Sequence, residues 1–140
     1  MAHTVSEVMT PEPVCLGAQN TANEAAAKMR DHNIGDVLVT GNNGDLRGVV
    51  TDRDLVVRVL ARSMDPASTR LGDICSPDPV KVSPQDPVSH AVELMRDKAL
   101  RRLPVVSDGR LVGIVSIGDL AVQEDPQSAL ADISAAPPNR

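Results

Sequence analysis

The chain has 140 residues, of which 41% are apolar and 24% charged, and its formal net charge at pH 7 is −5. This composition is typical of a globular protein, and the length allows one compact domain or two half-domains that share a core. The acidic balance disfavours nucleic acid as a partner, because such binding depends mainly on neutralising phosphates, and the absence of Phe, Tyr and Trp removes the rings on which unpaired bases stack.

The apolar runs of the sequence are only a few residues long, so no transmembrane helix is predicted. Residues 1–10 lack the basic start and apolar centre of a signal peptide. We therefore expect a cytoplasmic protein without a membrane partner, in which Cys15 and Cys75 are reduced.

The first half of the chain predicts helices that alternate with short strands. Thr4 with Glu7, and Thr21 with Glu24, have the spacing of a capping box and mark two helix starts. The Asn-Asn-Gly-Asp sequence at residues 42–45 predicts the turn of a hairpin. In chain order we expect a helix at residues 4–9, a brief strand at 14–16, a helix from 21 to about 33, strands at 37–39 and 46–50, and a helix from 51 to about 62.

From Leu71 onward the same pattern restarts. Pro77 lies 66 residues after Pro11, and Met-Arg-Asp at residues 95–97 repeats residues 29–31 at the same offset. A match of this length indicates an internal duplication. The predicted organisation is a first repeat at residues 4–62, a linker at 63–70, a second repeat at 71–123, and a short C-terminal helix with a frayed tail at 124–140.

The strand-to-helix corner of each repeat carries a hydroxyl and a carboxylate. Residues 48–54 read Gly-Val-Val-Thr-Asp-Arg-Asp, and residues 113–119 read Gly-Ile-Val-Ser-Ile-Gly-Asp. Taken alone, Thr51 with Asp54 and Ser116 with Asp119 are interpreted as two capping boxes. The alternative is that a helix N-terminus, a hydroxyl and a carboxylate converge on a sugar phosphate.

The predicted fold class is α/β (more strictly α+β), with a small sheet and flanking helices in each repeat. A unit of roughly 50 residues buries little apolar surface on its own, so two repeats are expected to pack about a pseudo-twofold axis. Such a pair creates two related clefts, one for each corner.

The sequence resembles the paired cystathionine-β-synthase-type (CBS) domain, or Bateman module. The resemblance covers roughly residues 4 to 122, and its motifs are Met9–Val14, Thr51–Val56, Arg101–Val106 and Leu111–Ser116. It is similar to the stand-alone bacterial CBS pairs, including the hypoxic-response type. The resemblance implies a regulatory, stress-associated homodimer rather than an enzyme, with a downstream protein as its further partner.

In that family the cleft between the repeats commonly binds an adenosine nucleotide or S-adenosylmethionine. The resemblance implies that Asp54 and Asp119 accept hydrogen bonds from ribose hydroxyls. It implies that Thr51 and Ser116 bond ribose or phosphate at the helix start. No cofactor is required, and the candidate ligands are AMP, ADP, ATP and S-adenosylmethionine.

The resemblance also assigns roles to residues outside the corners. Val14 and Val80 would wall the base and offer backbone groups to its edge. Arg101 and Arg102 would bind phosphate, for which the planar guanidinium is well suited because it donates two parallel hydrogen bonds. Their alternative interpretation is as surface cations.

The two repeats are not equivalent at these positions. Where the second repeat has Arg101 and Arg102, the first has Gly35 and Asp36. A polyphosphate beside Asp36 would meet like-charge repulsion. The stronger nucleotide site is therefore expected in the second repeat.

Other functions have less support in the sequence. No nucleophile stands at motif spacing from a base, and neither a Cys-x-x-Cys nor a His-x-x-x-His pattern predicts a metal site. The main alternative to a nucleotide sensor is a ligand-free structural or stress-response CBS dimer with vestigial clefts. For the dimer face, the apolar sides of residues 55–60 and 94–99 are the expected surfaces.

Overall fold

The computed structural model describes residues 3–124, with side chains described as far as Ala121. The chain divides into two compact units. Of the described residues, the first-repeat unit holds 14–79, and the second-repeat unit holds 3–13 together with 80–124. The C-terminal helix and tail predicted for residues 124–140 lie outside the described residues from 125 onward.

The first-repeat unit is a four-stranded sheet with helices packed against it. Strands β2 and β3 are parallel, β3 and β4 form an antiparallel hairpin, and β5 pairs antiparallel with β4, in the order β2-β3-β4-β5. Its elements are β2 (Cys15–Gly17), α2 (Ala22–His32), β3 (Asp36–Thr40), β4 (Leu46–Thr51), α3 (Asp52–Asp54), the π-helix Leu55–Leu60, α4 (Leu71–Ile74) and β5 (Ser76–Pro77).

The second-repeat unit has the matching architecture, with the sheet order β1-β7-β6. A parallel bridge from Val82 to Val105 extends this sheet where Leu16 pairs with Val39 in the first-repeat unit. Its elements are α1 (Val5–Val8), β1 (Thr10–Pro11), α5 (Val88–Lys98), β6 (Arg102–Ser107), β7 (Arg110–Ser116) and α6 (Ile117–Glu124). The mixed α/β fold class with two small sheets is confirmed.

Each unit includes a short strand that comes from the start of the other sequence repeat. Strand β1 pairs with β7, so the first residues of the chain belong to the second-repeat unit. In the same way β5 pairs with β4 in the first-repeat unit. The compact units thus divide the chain at different points from the two sequence repeats.

Both units have an apolar core between sheet and helices. Most of the buried side chains are aliphatic, and Val5 of α1 is fully buried in the second-repeat core. The first-repeat core includes Ala22, Ala25, Met29, Val37, Val39, Val50, Val59, Leu71 and Ile74. Within residues 3–124 the structure finds no helix with the length and hydropathy needed to cross a membrane.

The helix after Thr51 differs from the prediction of a regular α-helix to about residue 62. A single α-turn continues as a π-helix, in which the N–H of Ala61 donates to the carbonyl oxygen of Val56 at 2.8 Å. Three of its six residues are valines. Their β-branched side chains slightly lower the α-helix propensity of this segment.

Candidate functional site

The two strand-to-helix corners have the same hydrogen bonds. The N–H of Thr51 donates to Asp54 Oδ2 at 2.8 Å, and the N–H of Asp54 donates to Thr51 Oγ1 at 3.1 Å. The corresponding bonds of Ser116 and Asp119 measure 3.0 Å and 3.1 Å. The capping-box interpretation is confirmed at both corners.

The capping hydrogen bonds leave some polar atoms of these corners available to a ligand. Each hydroxyl accepts one N–H, which leaves its own O–H able to donate, and each aspartate uses Oδ2 for the cap. All four side chains are half-buried, so they are held in place yet within reach of solvent. A corner of this kind offers both a donor and an acceptor to a diol or a phosphate.

Val14 lies at the same end of the first-repeat sheet as the Thr51 corner. The N–H of Leu38 donates to the carbonyl oxygen of Val14 at 3.3 Å, and Val37 pairs with Val50. Strand β3 therefore separates Val14 from the end of β4, a lateral distance of about 10 Å at the usual strand spacing. The carbonyl oxygen of Val14 already accepts a hydrogen bond within the sheet.

Val80 has the equivalent place in the second-repeat unit. It is half-buried and lies two residues before Val82, which forms the parallel bridge to Val105. Strand β6 thus lies between this segment and β7, whose last residue is Ser116.

Arg101 and Arg102 stand beside the Ser116 corner. The carbonyl oxygen of Arg101 accepts the N–H of Ile117 at 2.8 Å, and Arg102 is the register partner of Ser116. Both arginines are exposed. The predicted second-repeat residues are therefore brought together along one end of a sheet.

The first-repeat unit holds Gly35 and Asp36 in the same backbone positions. The carbonyl oxygen of Gly35 accepts the N–H of Asp52 at 2.9 Å, and Asp36 is the register partner of Thr51. The charge difference between the repeats therefore lies directly beside the corners. The residue beside the first corner is acidic, whereas two basic residues stand beside the second.

Arg58 is the residue of this region that sequence reasoning missed. The sequence favours a solvated helix face or a dimer contact for it, whereas its Nε lies 3.6 Å from Asp54 Oδ1 and its Nη1 donates to the carbonyl oxygen of Ile74 at 2.9 Å. The i,i+4 spacing of an acidic and a basic residue is the signal that could have found this pair.

Cys75 lies against Gly48 and near Arg58 and Asp54 of the first-repeat corner. Burial raises the pKa of its thiol, and nearby Arg58 only partly opposes that effect. Among the described residues, no three side chains of His, Cys, Asp or Glu are grouped as a metal site would require.

Comparison with known proteins gives a consistent family assignment. The CBS domain family matches residues 5–61 and 71–123. The chain is 37% identical over 135 residues to the CBS domain-containing protein YhcV of Bacillus subtilis, covering 94% of this chain and 95% of that protein. It is 34% identical over 118 residues to hypoxic response protein 1 of Mycobacterium tuberculosis, covering 84% and 82%.

Solved structures give the same result. Hypoxic Response Protein I, crystallised with two coordinated zinc ions, superposes with a TM-score of 0.79 at 34% identity, covering 85% of this chain and 97% of that one. CBSX2 in complex with AMP superposes with a TM-score of 0.76 at 26% identity, covering 87% and 96%.

Proposed function

Because this chain belongs to the CBS-domain family, we propose that it is a regulatory module that binds an adenine nucleotide and acts as a homodimer. Nucleotide binding would change the packing of the protein, and a downstream protein would read that change. A ligand can shift such an equilibrium only by the difference between its affinities for the two conformations.

The observation that carries the proposal is the grouping of Ser116 and Asp119 beside Arg101 and Arg102. The aspartate supplies an acceptor for a ribose diol, the serine hydroxyl a donor, and the two arginines supply cations for phosphate. The crystal structure of the relative CBSX2 with AMP supports an adenosine nucleotide as the ligand class.

The second-repeat corner is proposed as the principal site. Arg101 and Arg102 bring two positive charges to it, whereas Asp36 brings a negative charge to the first corner. Charge-assisted hydrogen bonds to phosphate are roughly twice as strong as neutral ones. Val80 would contact the base in this site, and Val14, Thr51 and Asp54 would form the weaker one.

The homodimer is supported by apolar helix surface in each unit. In the second-repeat unit a groove of about 320 Å³ between α5 and α6 is lined mainly by Val92, Met95, Leu100, Ile117 and Leu120. In the first-repeat unit the π-helix exposes Val56, Val57 and Leu60. Since duplication gives both repeats such a surface, a second copy of the chain is the proposed occupant.

We propose no zinc site, although the relative Hypoxic Response Protein I has been crystallised with zinc. Within residues 3–124 the grouping of three protein ligands that a zinc site needs is not found.

Calorimetry and thermal unfolding with AMP, ADP, ATP and S-adenosylmethionine test the nucleotide proposal. A ligand at 100 times its dissociation constant should stabilise the fold by about 2.7 kcal/mol. Asp119→Asn and Arg101→Gln should each weaken binding, and Asn at position 119 can still cap the helix. Asp97→Asn removes an exposed carboxylate of α5 and is the matched control.

Two results would favour the ligand-free structural dimer instead. One is an unchanged melting temperature with every nucleotide at millimolar concentration. The other is an equal loss of binding in Asp119→Asn and Asp97→Asn. Binding would then depend on the net charge of the protein rather than on a carboxylate at position 119.

A further inference from the structure

Arg58 distinguishes the two corners. Its Nε lies 3.6 Å from Asp54 Oδ1, while its Nη1 donates to the carbonyl oxygen of Ile74 at 2.9 Å. The side chain of Asp54 is only 16% exposed and that of Arg58 is 39% exposed. The guanidinium is thus held between the helix start and the segment that precedes β5.

This contact bears directly on what Asp54 can bind. Asp54 Oδ2 already accepts the N–H of Thr51, so with Arg58 beside Oδ1 both oxygens of the carboxylate face a donor of the protein. A guanidinium has donors but no acceptor and cannot replace the carboxylate as a partner for ribose hydroxyls. At 3.6 Å the guanidinium is an ion-pair partner of Oδ1 rather than its hydrogen-bond donor, so a ribose diol at Oδ1 would meet a neighbouring cation that already offsets the charge of the carboxylate.

The second-repeat corner has a different residue at the corresponding position. Asp119 lies 65 residues after Asp54, and the same offset from Arg58 leads to Gln123. Asp119 Oδ2 caps the helix, as in the first repeat. In the described part of the chain, the ion pairs found do not include Asp119. Its carboxylate keeps the charge that strengthens a hydrogen bond from ribose.

We propose that Arg58 is a specificity-determining residue that closes the first-repeat corner by pairing with Asp54. It directs the nucleotide to the Ser116 and Asp119 corner, so that each chain binds one nucleotide. This inference rests on the proposed nucleotide-binding function and adds to the repulsion expected from Asp36.

The role of Arg58 is tested by giving the first repeat the residue that the second repeat has at the corresponding position. Asp119→Asn first disables the second-repeat corner, and Arg58→Gln is then added to give the first repeat the residue found at position 123. Binding of AMP, which has a single phosphate, is measured by calorimetry. We expect the double variant to bind AMP about tenfold or more tightly than Asp119→Asn alone, because a hydrogen bond to a charged carboxylate is regained.

Arg53→Gln in the same Asp119→Asn background is the matched control. Arg53 is an exposed neighbour on α3, and its replacement removes the same charge without releasing Asp54. Its AMP affinity should equal that of the parent. The reciprocal substitution Gln123→Arg, made alone in the wild-type chain, should weaken AMP binding.

The outcomes distinguish a failure of the Arg58 inference from a failure of the proposed nucleotide-binding function. If the wild-type chain binds AMP but Arg58→Gln does not restore binding, the role of Arg58 is wrong and the nucleotide function stands. If Arg58→Gln weakens first-repeat binding, Arg58 is a phosphate ligand and the inference is overturned. If the wild-type chain and all variants fail to bind AMP, ADP, ATP and S-adenosylmethionine, both proposals are overturned.

Discussion

Met9 packs so closely on Gly113 that a Cβ atom at position 113 would lie 2.6 Å from its Sδ. The contact joins the first residues of the chain to strand β7 of the second-repeat unit. Cys75 has the same relationship to Gly48, where the corresponding distance to Sγ would be 2.8 Å. Each glycine therefore lets a segment from the start of the other repeat reach the sheet.

Gly113→Ala is expected to destabilise the protein by about 1–3 kcal/mol, because the added methyl group meets Met9 and the backbone of Thr10. Gly48→Ala should destabilise the first-repeat unit at least as much, because a Cβ there would lie 2.5 Å from the carbonyl oxygen of Ser76. The midpoint of urea unfolding, followed by far-UV circular dichroism, measures the change.

Gly35→Ala serves as the control for the glycine prediction. A Cβ there would lie 3.2 Å from Asp52 Oδ2, the end of a flexible and exposed side chain that can move away. Its unfolding midpoint should change little. Equal destabilisation by Gly35→Ala and Gly113→Ala would show that glycine itself, rather than the close approach, sets the cost.

The close approach also shows where sequence reasoning stops. Capping boxes, hairpin turns and the duplication depend on residues close in sequence or on a fixed offset, so they could be predicted. The pairing of β1 with β7 depends on tertiary packing, and the first helix was assigned by position alone to the first repeat. The pair of Asp54 and Arg58 has a detectable i,i+4 spacing, yet its contact with Ile74 depends on the fold.

Ala99→Gly is expected to stabilise the protein. Ala99 ends α5 in the left-handed conformation, with φ 54° and ψ 44°, which strains a residue that has a Cβ. Glycine adopts this conformation freely, so a gain of about 0.5–1 kcal/mol in the free energy of unfolding should follow. Chemical denaturation measures the gain.

At the equivalent position of the first repeat, the reverse change, which introduces alanine into the left-handed conformation, can be tested. Asn33 ends α2 with φ 55° and ψ 46°, and asparagine tolerates the left-handed region better than alanine does. Asn33→Ala should therefore lower the unfolding free energy. If Ala99→Gly and Asn33→Ala both destabilise, the cost of flexibility in the unfolded chain outweighs the strain.

The thiol of Cys75 is expected to react slowly at neutral pH. Burial raises its pKa in the folded protein, so the thiolate fraction at a given pH is smaller than in the unfolded chain. In a Cys15→Ser background, the alkylation rate by iodoacetamide should rise at a higher pH in the folded protein than in urea. Coincident pH profiles would contradict this prediction.

The same pKa shift makes a prediction for stability. Because the folded protein disfavours the Cys75 thiolate, stability should fall as the pH rises from the pKa of the unfolded thiol toward that of the folded one. Cys75→Ser should remove this part of the alkaline loss, and Cys15→Ser is the comparison.

Charged substitutions on the π-helix test the proposed homodimer. Val56 is 55% exposed and Leu60 is 63% exposed, and their i,i+4 spacing places them on neighbouring positions of one helix surface. In a lone protomer, Val56→Glu and Leu60→Glu should have little effect on folding, because both side chains already contact solvent. In a dimer that covers this surface, a desolvated carboxylate would be strongly unfavourable.

We therefore expect a dimer from the wild-type chain and a monomer from the Val56→Glu/Leu60→Glu double variant, with the same circular dichroism spectrum. Sedimentation velocity with interference optics measures the mass, since the chain has no Trp or Tyr to absorb at 280 nm. Gln85→Glu adds a charge at an exposed site of the second-repeat unit and should remain dimeric. A dimeric double variant would exclude the π-helix surface as the interface, and the groove between α5 and α6 would then be tested in the same way with Ile117→Glu.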